Sequence, residues 1–266
     1  MRLLLHNLRR TLAVTFLACV AMFGFHMLLI TVYVNLISKN TPMIMQNLPK
    51  GLQNFFGLDR LPITTITGFL AIAYQHPFVL AAVLAVPIST ATLLLAGDVE
   101  RRSLALVLSR PVSRTGVVLA CAVTCILQSL LVVGCAYSGT RTGIHVMHVK
   151  DSPDFPTLLR VAGNLFSLIC CVCGISVMFS ALFDQRGDAV GWAFTVTLFM
   201  YVWNFFTQIW EEAKPYERFS IFHYYSPTRI FLNTSSLQQD NSLLVGLGVI
   251  CLLAAVTIFA RRDLNV

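Results

Sequence analysis

GDVERRSLALVLSRPVSRTG, residues 97–116, is the one strongly charged stretch between two long apolar runs, and its reading decides the fold. It opens on two acids, Asp98 and Glu100. Leu104, Val107 and Leu108 then recur at i, i+3, i+4, the spacing of one face of an α-helix. Arg110 precedes Pro111, whose ring pushes it out of the α region, so a short helix ends there. Ser113 stands where its hydroxyl can cap the next apolar helix, which begins at Arg114. The pattern predicts a short amphipathic helix held between two membrane spans and presented to something in the cytoplasm. An ordinary inner loop obeying the positive-inside rule has the same arginine content.

The chain around this stretch is 266 residues long, 56% hydrophobic and only 12% charged. Its mean hydropathy is +0.74. Soluble domains of this size do not have that composition, so the chain is predicted to be an all-α polytopic membrane protein. The net charge of +7 fits inner-leaflet arginines. No basic stripe interleaved with aromatic residues points to nucleic acid. All eight cysteines fall inside apolar runs and read as small packing residues. Cys170, Cys171 and Cys173 form a cluster that a soft metal could use, with helix packing the simpler reading.

Six spans are predicted, at about residues 11–37, 77–96, 115–137, 158–183, 189–209 and 242–260, in a single domain covering 1–266. Residues 1–10 carry Arg2, Arg9 and Arg10 among leucines and read as an amphipathic entry segment on the inner surface. The first apolar run continues well past Cys19, which is span length and not signal-peptide length. Both termini are expected in the cytoplasm. Basic residues divide almost equally between the two sides, but the inner segments are shorter and about twofold denser in Lys and Arg.

The outer segments carry most of the ambiguity. Residues 63–74 are apolar but too short to span, and fit a re-entrant segment or the start of span two. The outer loop 138–157 places His145 and His148 three apart, a spacing that can share a metal on a helix. No carboxylate or cysteine joins them, so a solvated pair is the plainer reading. The inner turn 184–188 is so short that spans four and five should be antiparallel neighbours. Trp203 and Trp210 suit an interfacial belt at the outer end of span five. Residues 216–231 are strongly aromatic and fit an interfacial or re-entrant helix closing the outer side of a cavity, or a plain aromatic belt.

What the spans lack narrows the function. Every charged residue falls in a loop or at a span end. His26, Asn35, Gln128 and Asn164 are the strongest polar groups within spans. Ion-coupled transporters and proton relays keep ionisable groups at membrane depth because function requires them. The zinc pattern HExxH is missing, as are a paired set of haem histidines and a Ser/His or Ser/Lys pairing. The chain also has no GxxxxGK[ST] phosphate loop. It is therefore not expected to be an enzyme, and energised work would draw on a partner.

Glu100-Arg-Arg-Ser-Leu104, followed by Val107-Leu108-Ser-Arg-Pro-Val-Ser-Arg114, resembles the signature of type-2 ABC exporter permeases. That signature runs as a glutamate, a Gly-Thr, a leucine-rich turn and Pro-Val-Ser-Arg before span three. The closing Phe259-Ala-Arg-Arg-Asp-Leu264 looks like the family's usual end. Arg102 stands where the family usually has glycine, Ser103 replaces threonine, and Cys121 stands near where a lysine is common.

The resemblance implies a six-span permease subunit of an ATP-binding cassette exporter in the plasma or inner membrane. It works by alternating access with a second permease copy, identical or paralogous, and a separate ATPase that holds ATP and Mg. The loop between spans two and three becomes a coupling helix. Leu104, Val107 and Leu108 would fill a groove on the ATPase, and Glu100, Arg101, Arg110 and Arg114 would form rim ion pairs. Ser103 lies within this stretch, Pro111 would set the angle to span three, and Ser113 would cap it. An apolar cavity suits an amphipathic or lipid-like substrate. No cofactor or metal is expected in this chain, and its other contacts are membrane lipids. A non-transporting scaffold or sensor, recruiting a cytoplasmic partner through residues 97–116, is the alternative.

Overall fold

A computed structural model describes residues 2–37, 61–102 and 113–262. Among these residues there is no strand. Helix α1 (Arg2–Val32) ends in a π-helical turn, Tyr33–Ile37. Next come α2 (Ile66–Gln75), α3 (Pro77–Leu94), α4 (Ala96–Glu100), α5 (Arg114–Val146), α6 (Phe155–Leu182) and α7 (Arg186–Ile209). Two 3-10 stretches, Glu211–Phe219 and Ile221–Tyr224, lead to α8 (Pro227–Phe231) and α9 (Leu237–Arg261). Helices α1, α3, α5, α6, α7 and α9 are long and apolar enough to cross a membrane.

The spans pack as two parallel pairs. Helix α1 runs alongside α5, and α6 alongside α9. Both contacts are close because glycine leaves room for a backbone. A Cβ on Gly139 of α5 would lie 2.4 Å from the Phe23 carbonyl oxygen of α1. One turn on, a Cβ on Gly143 would lie 2.9 Å from Ile30 Cβ. In the other pair Gly174 and Gly248 meet in the same way. Small residues at helix contacts are how spans gain dispersion energy where no hydrophobic effect drives them together. Helix α3 lies against both pairs and against α7.

An amide fixes the register of each pair. Gln128 of α5 donates to Thr11 and Thr15 of α1, at 2.5 and 2.6 Å, and accepts from Thr90 of α3 at 2.8 Å. Asn164 of α6 donates to Asn241 of α9 at 2.8 Å and to the Tyr224 carbonyl at 3.1 Å, and accepts from the Ser226 N–H at 3.3 Å. Buried amides of this kind are costly unless paired, so each specifies one partner alignment.

Three expectations are corrected. Residues 2–10 are not a separate surface segment but the first turns of α1, with Asn7, Thr11 and Thr15 buried against the bundle. Span three does not stop near residue 137. The helix continues to Val146 because Gly139, Thr140 and Gly143 are buried against α1, so half of the expected loop 138–157 is helical. Residues 63–74, read as re-entrant or as the start of span two, do not start span two. Helix α2 is a separate, largely buried helix, ended where His76 turns extended before Pro77. The expected antiparallel contact of spans four and five is present between α6 and α7.

At the end of the bundle holding α2, the aromatic segment 216–231 becomes a cap of short helical turns. Tyr225 donates to the Tyr74 carbonyl at 2.9 Å, Gln75 donates to Thr228 at 3.0 Å, and Tyr33 donates to the Thr64 carbonyl at 2.8 Å. Tyr74 and Thr140 hydroxyls lie 3.0 Å apart. Trp203 donates to the Tyr216 carbonyl at 3.1 Å, which ties the cap to α7. His223 sits in this cap 3.8 Å from Glu217. Burial lowers its pKa below the ordinary 6.5; Glu217 opposes that shift, and Arg229 adds to it.

Candidate functional site

The opposite end of the bundle collects the charged stretch that opened the sequence. Helix α3 passes into α4 at Leu95, where the backbone bends but the hydrogen bonds continue: Leu95 N–H to Ala91 and Val99 N–H to Leu95, both 3.1 Å. Leu94 and Leu95 are buried with Val117, Val118, Val177, Ala181 and Phe259, and Ala96 is buried as well. The base of the stretch is thus embedded in apolar packing from α5, α6 and α9.

Polar groups fasten α4 on its flanks. Asp98 forms an ion pair with Arg10 of α1 at 2.5 Å, with the Asp98 side chain 12% exposed. Glu100 accepts from the backbone N–H of Arg186 at 2.8 Å, at the first residue of α7. That N–H belongs to the positive end of a helix dipole, where a carboxylate is favoured. Gly97 faces the Arg186 side chain: a Cβ there would lie 3.5 Å from Arg186 Cδ.

The stretch leaves α4 through Arg101, an exposed C-cap, and Arg102, whose φ of 55° is left-handed. Glycine tolerates that backbone region without strain and arginine does not, and Arg102 is where the family pattern has glycine. Ser103, Leu104, Val107, Leu108, Arg110 and Pro111 lie outside the described residues, and so does the helix expected over them. At the far side Ser113 is the N-cap of α5, accepting from the Gly116 N–H at 3.1 Å as its position predicts. Arg114 donates to the Arg262 carbonyl at 2.5 Å.

Arg262 completes this end. It donates to the Ala181 and Phe183 carbonyls at 2.8 and 3.2 Å and pairs with Asp184. The structure therefore brings together Arg10, Asp98, Glu100, Arg114, Asp184, Arg186 and Arg262. Of these, Glu100 and Arg114 were expected to face a partner, yet both are engaged within the chain. Arg10, Asp184, Arg186 and Arg262 were not singled out as site residues. Their signal was available: each is a charge at a span end on the same predicted side as residues 97–116.

The other candidate sites do not assemble. His145 lies in the last turn of α5 and His148 beyond it at φ 49°, with ring centroids 6.5 Å apart. Among the described residues no three His, Cys, Asp or Glu side chains form a metal-holding group. Cys171 and Cys173 are buried and Cys170 half-buried, with Cys170 and Cys171 packed on Gly248.

The model of a family described as ABC-2 family transporter protein matches residues 7–264. The chain belongs to this family. No curated protein matches it. As an ABC-2 transporter protein the chain is a membrane protein and the transmembrane component of its transporter, the kind of subunit that works with ATP-binding subunits. Among the described residues, six apolar helices are long enough to cross the membrane.

Proposed function

We propose that this permease is the membrane subunit of an exporter that moves an amphipathic or lipid-like molecule by alternating access. The work is supplied by a separate ATPase that binds ATP and Mg. Residues 97–116 are the coupling element. The observation that carries this reading is the anchoring of both its ends: α4 embedded and tied to α1 and α7, and α5 capped by Ser113 and tied through Arg114 to Arg262. A segment held at both ends moves the spans when a partner moves it.

Leu104, Val107 and Leu108 supply the apolar face that seats in the ATPase. Arg101 and Arg110 give the cationic rim that orients it. Glu100, Ser113 and Arg114 hold the element to the bundle, and Pro111 sets the angle to α5. The placement of the acidic and basic residues in loops and at span ends, with His26 an imidazole within a span, favours an apolar or amphipathic cargo over a free ion. The permease works as a dimer in the plasma or inner membrane, with residues 97–116 and both termini on the cytoplasmic side.

The test is capture of the tagged chain from mild detergent, followed by an ATPase assay. The wild type is expected to retain an ATP-hydrolysing subunit. The Leu104→Asp/Leu108→Asp variant is expected to lose it while the spans stay folded. Capture that survives the double substitution rejects these leucines as the contact. A wild type that never retains an ATPase leaves the scaffold or sensor reading in its place.

A further inference from the structure

Asp98 and Glu100 are two residues apart on α4, about 200° around a helix, so they project to opposite sides of it. Asp98 reaches α1 through Arg10, and Glu100 reaches the first N–H of α7. These two spans are not neighbours of residues 97–116 in sequence. Among the described residues they reach it through side chains, whereas α3 and α5 are joined to it by backbone.

The two links differ in shielding, Arg10–Asp98 being part-buried and Glu100–Arg186 exposed. The Arg10–Asp98 pair is short and mostly shielded, so it is screened less than a surface pair. The Glu100 contact is a charge-assisted hydrogen bond to an N–H that has no partner within its own helix. Between them α4 is buried through Gly97 and Asp98, with little freedom to move unless its neighbours move too.

We propose that α4 is a two-armed tie, in which Asp98 delivers displacement of the coupling element to α1 and Glu100 delivers it to α7. Asp98, Arg10 and Glu100 are positioning residues that touch neither cargo nor nucleotide. The proposal rests on the exporter reading above. It adds which spans are driven, and by which side chain.

The experiment is hydrogen exchange on the full chain in complex with its ATPase, with and without trapped ATP. In the wild type, residues 3–15 and 186–200 both change their exchange on ATP trapping. Asp98→Asn loses the response of residues 3–15 and keeps that of 186–200. Glu100→Ala does the reverse. The swap Arg10→Asp/Asp98→Arg restores the response of residues 3–15, which a merely destabilised bundle does not do. Each variant keeps its bound ATPase, since the apolar contact is untouched. Loss of both responses together in either variant overturns the two-armed tie, as does an undiminished response in Asp98→Asn. Failure of the exporter reading looks different: the wild type then captures no ATPase at all, and the tie falls with it.

Discussion

Gly174 of α6 and Gly248 of α9 touch backbone to backbone: a Cβ on Gly174 would lie 2.2 Å from the Gly248 carbonyl oxygen. Gly174→Ala forces the two spans apart and should cost about 1–3 kcal/mol, the range for overpacking a tight contact. Gly246→Ala is the control, because nothing lies within 4 Å of the Cβ it adds. Thermal unfolding in mild detergent should separate the two clearly. Equal midpoints would mean that α6 and α9 are not in this contact.

The two register-setting amides should differ in what their loss leaves behind. Thr11 and Thr15 also donate to the carbonyls of Asn7 and Thr11, so their hydroxyls keep partners without Gln128. Gln128→Leu leaves the Thr90 hydroxyl without its partner and should cost about 1 kcal/mol, the low end for a stranded polar group. Asn164→Leu removes the partner of a backbone carbonyl at Tyr224 and a backbone N–H at Ser226. Its cost should be about 2 kcal/mol, in the range for stranded polar groups. The same unfolding measurement checks the order of the two variants.

Ser113→Ala should weaken the start of α5 by about 1 kcal/mol, the usual worth of an N-cap hydroxyl. The loss is local. Faster exchange of the Gly116 amide, with the middle of α5 unchanged, is the expected outcome.

The cap at the other end should loosen in acid. The folded pKa of His223 lies below its ordinary 6.5, because burial disfavours the charged ring. An unfolded cap therefore binds the proton first as pH falls. Stability is complete above about 6.5 and is lost as pH drops from there toward the lower folded value. Amide protection across residues 211–232, after correction for the intrinsic slowing of exchange in acid, should fall as pH drops below about 6.5, and His223→Gln should flatten that dependence.

Much of the fold was legible because a span announces itself by length and hydropathy. Ser113 was legible as a cap because its place before an apolar run is a local signal. The extension of α5 to Val146 was not, since Ser138, Thr140, Arg141 and Thr142 read as polar loop until α1 is seen covering that face. The same holds for α2, whose ten residues are too few to span and become a helix only against α8 and Tyr225. At the end of the bundle that holds α4 the acids were visible and their partners were not. Asp98 finds Arg10 and Glu100 finds Arg186 across 88 and 86 residues, a pairing that no local pattern encodes.

The parallel pairing of α1 with α5, and of α6 with α9, also dictates the order of assembly. Neither pair can be a hairpin, so each earlier helix enters the bilayer before its mate exists. At about 5–20 residues per second, α1 waits on the order of 10 s for α5. During that wait Thr11, Thr15 and the face later covered by Gly139 are open to lipid or to the insertion machinery. The biogenesis of this permease therefore has two intervals in which a helix lacks its parallel mate and leans instead on α3, or on α3, α5 and α7, and a lesion in α5 or α9 exposes a face of a span made long before it.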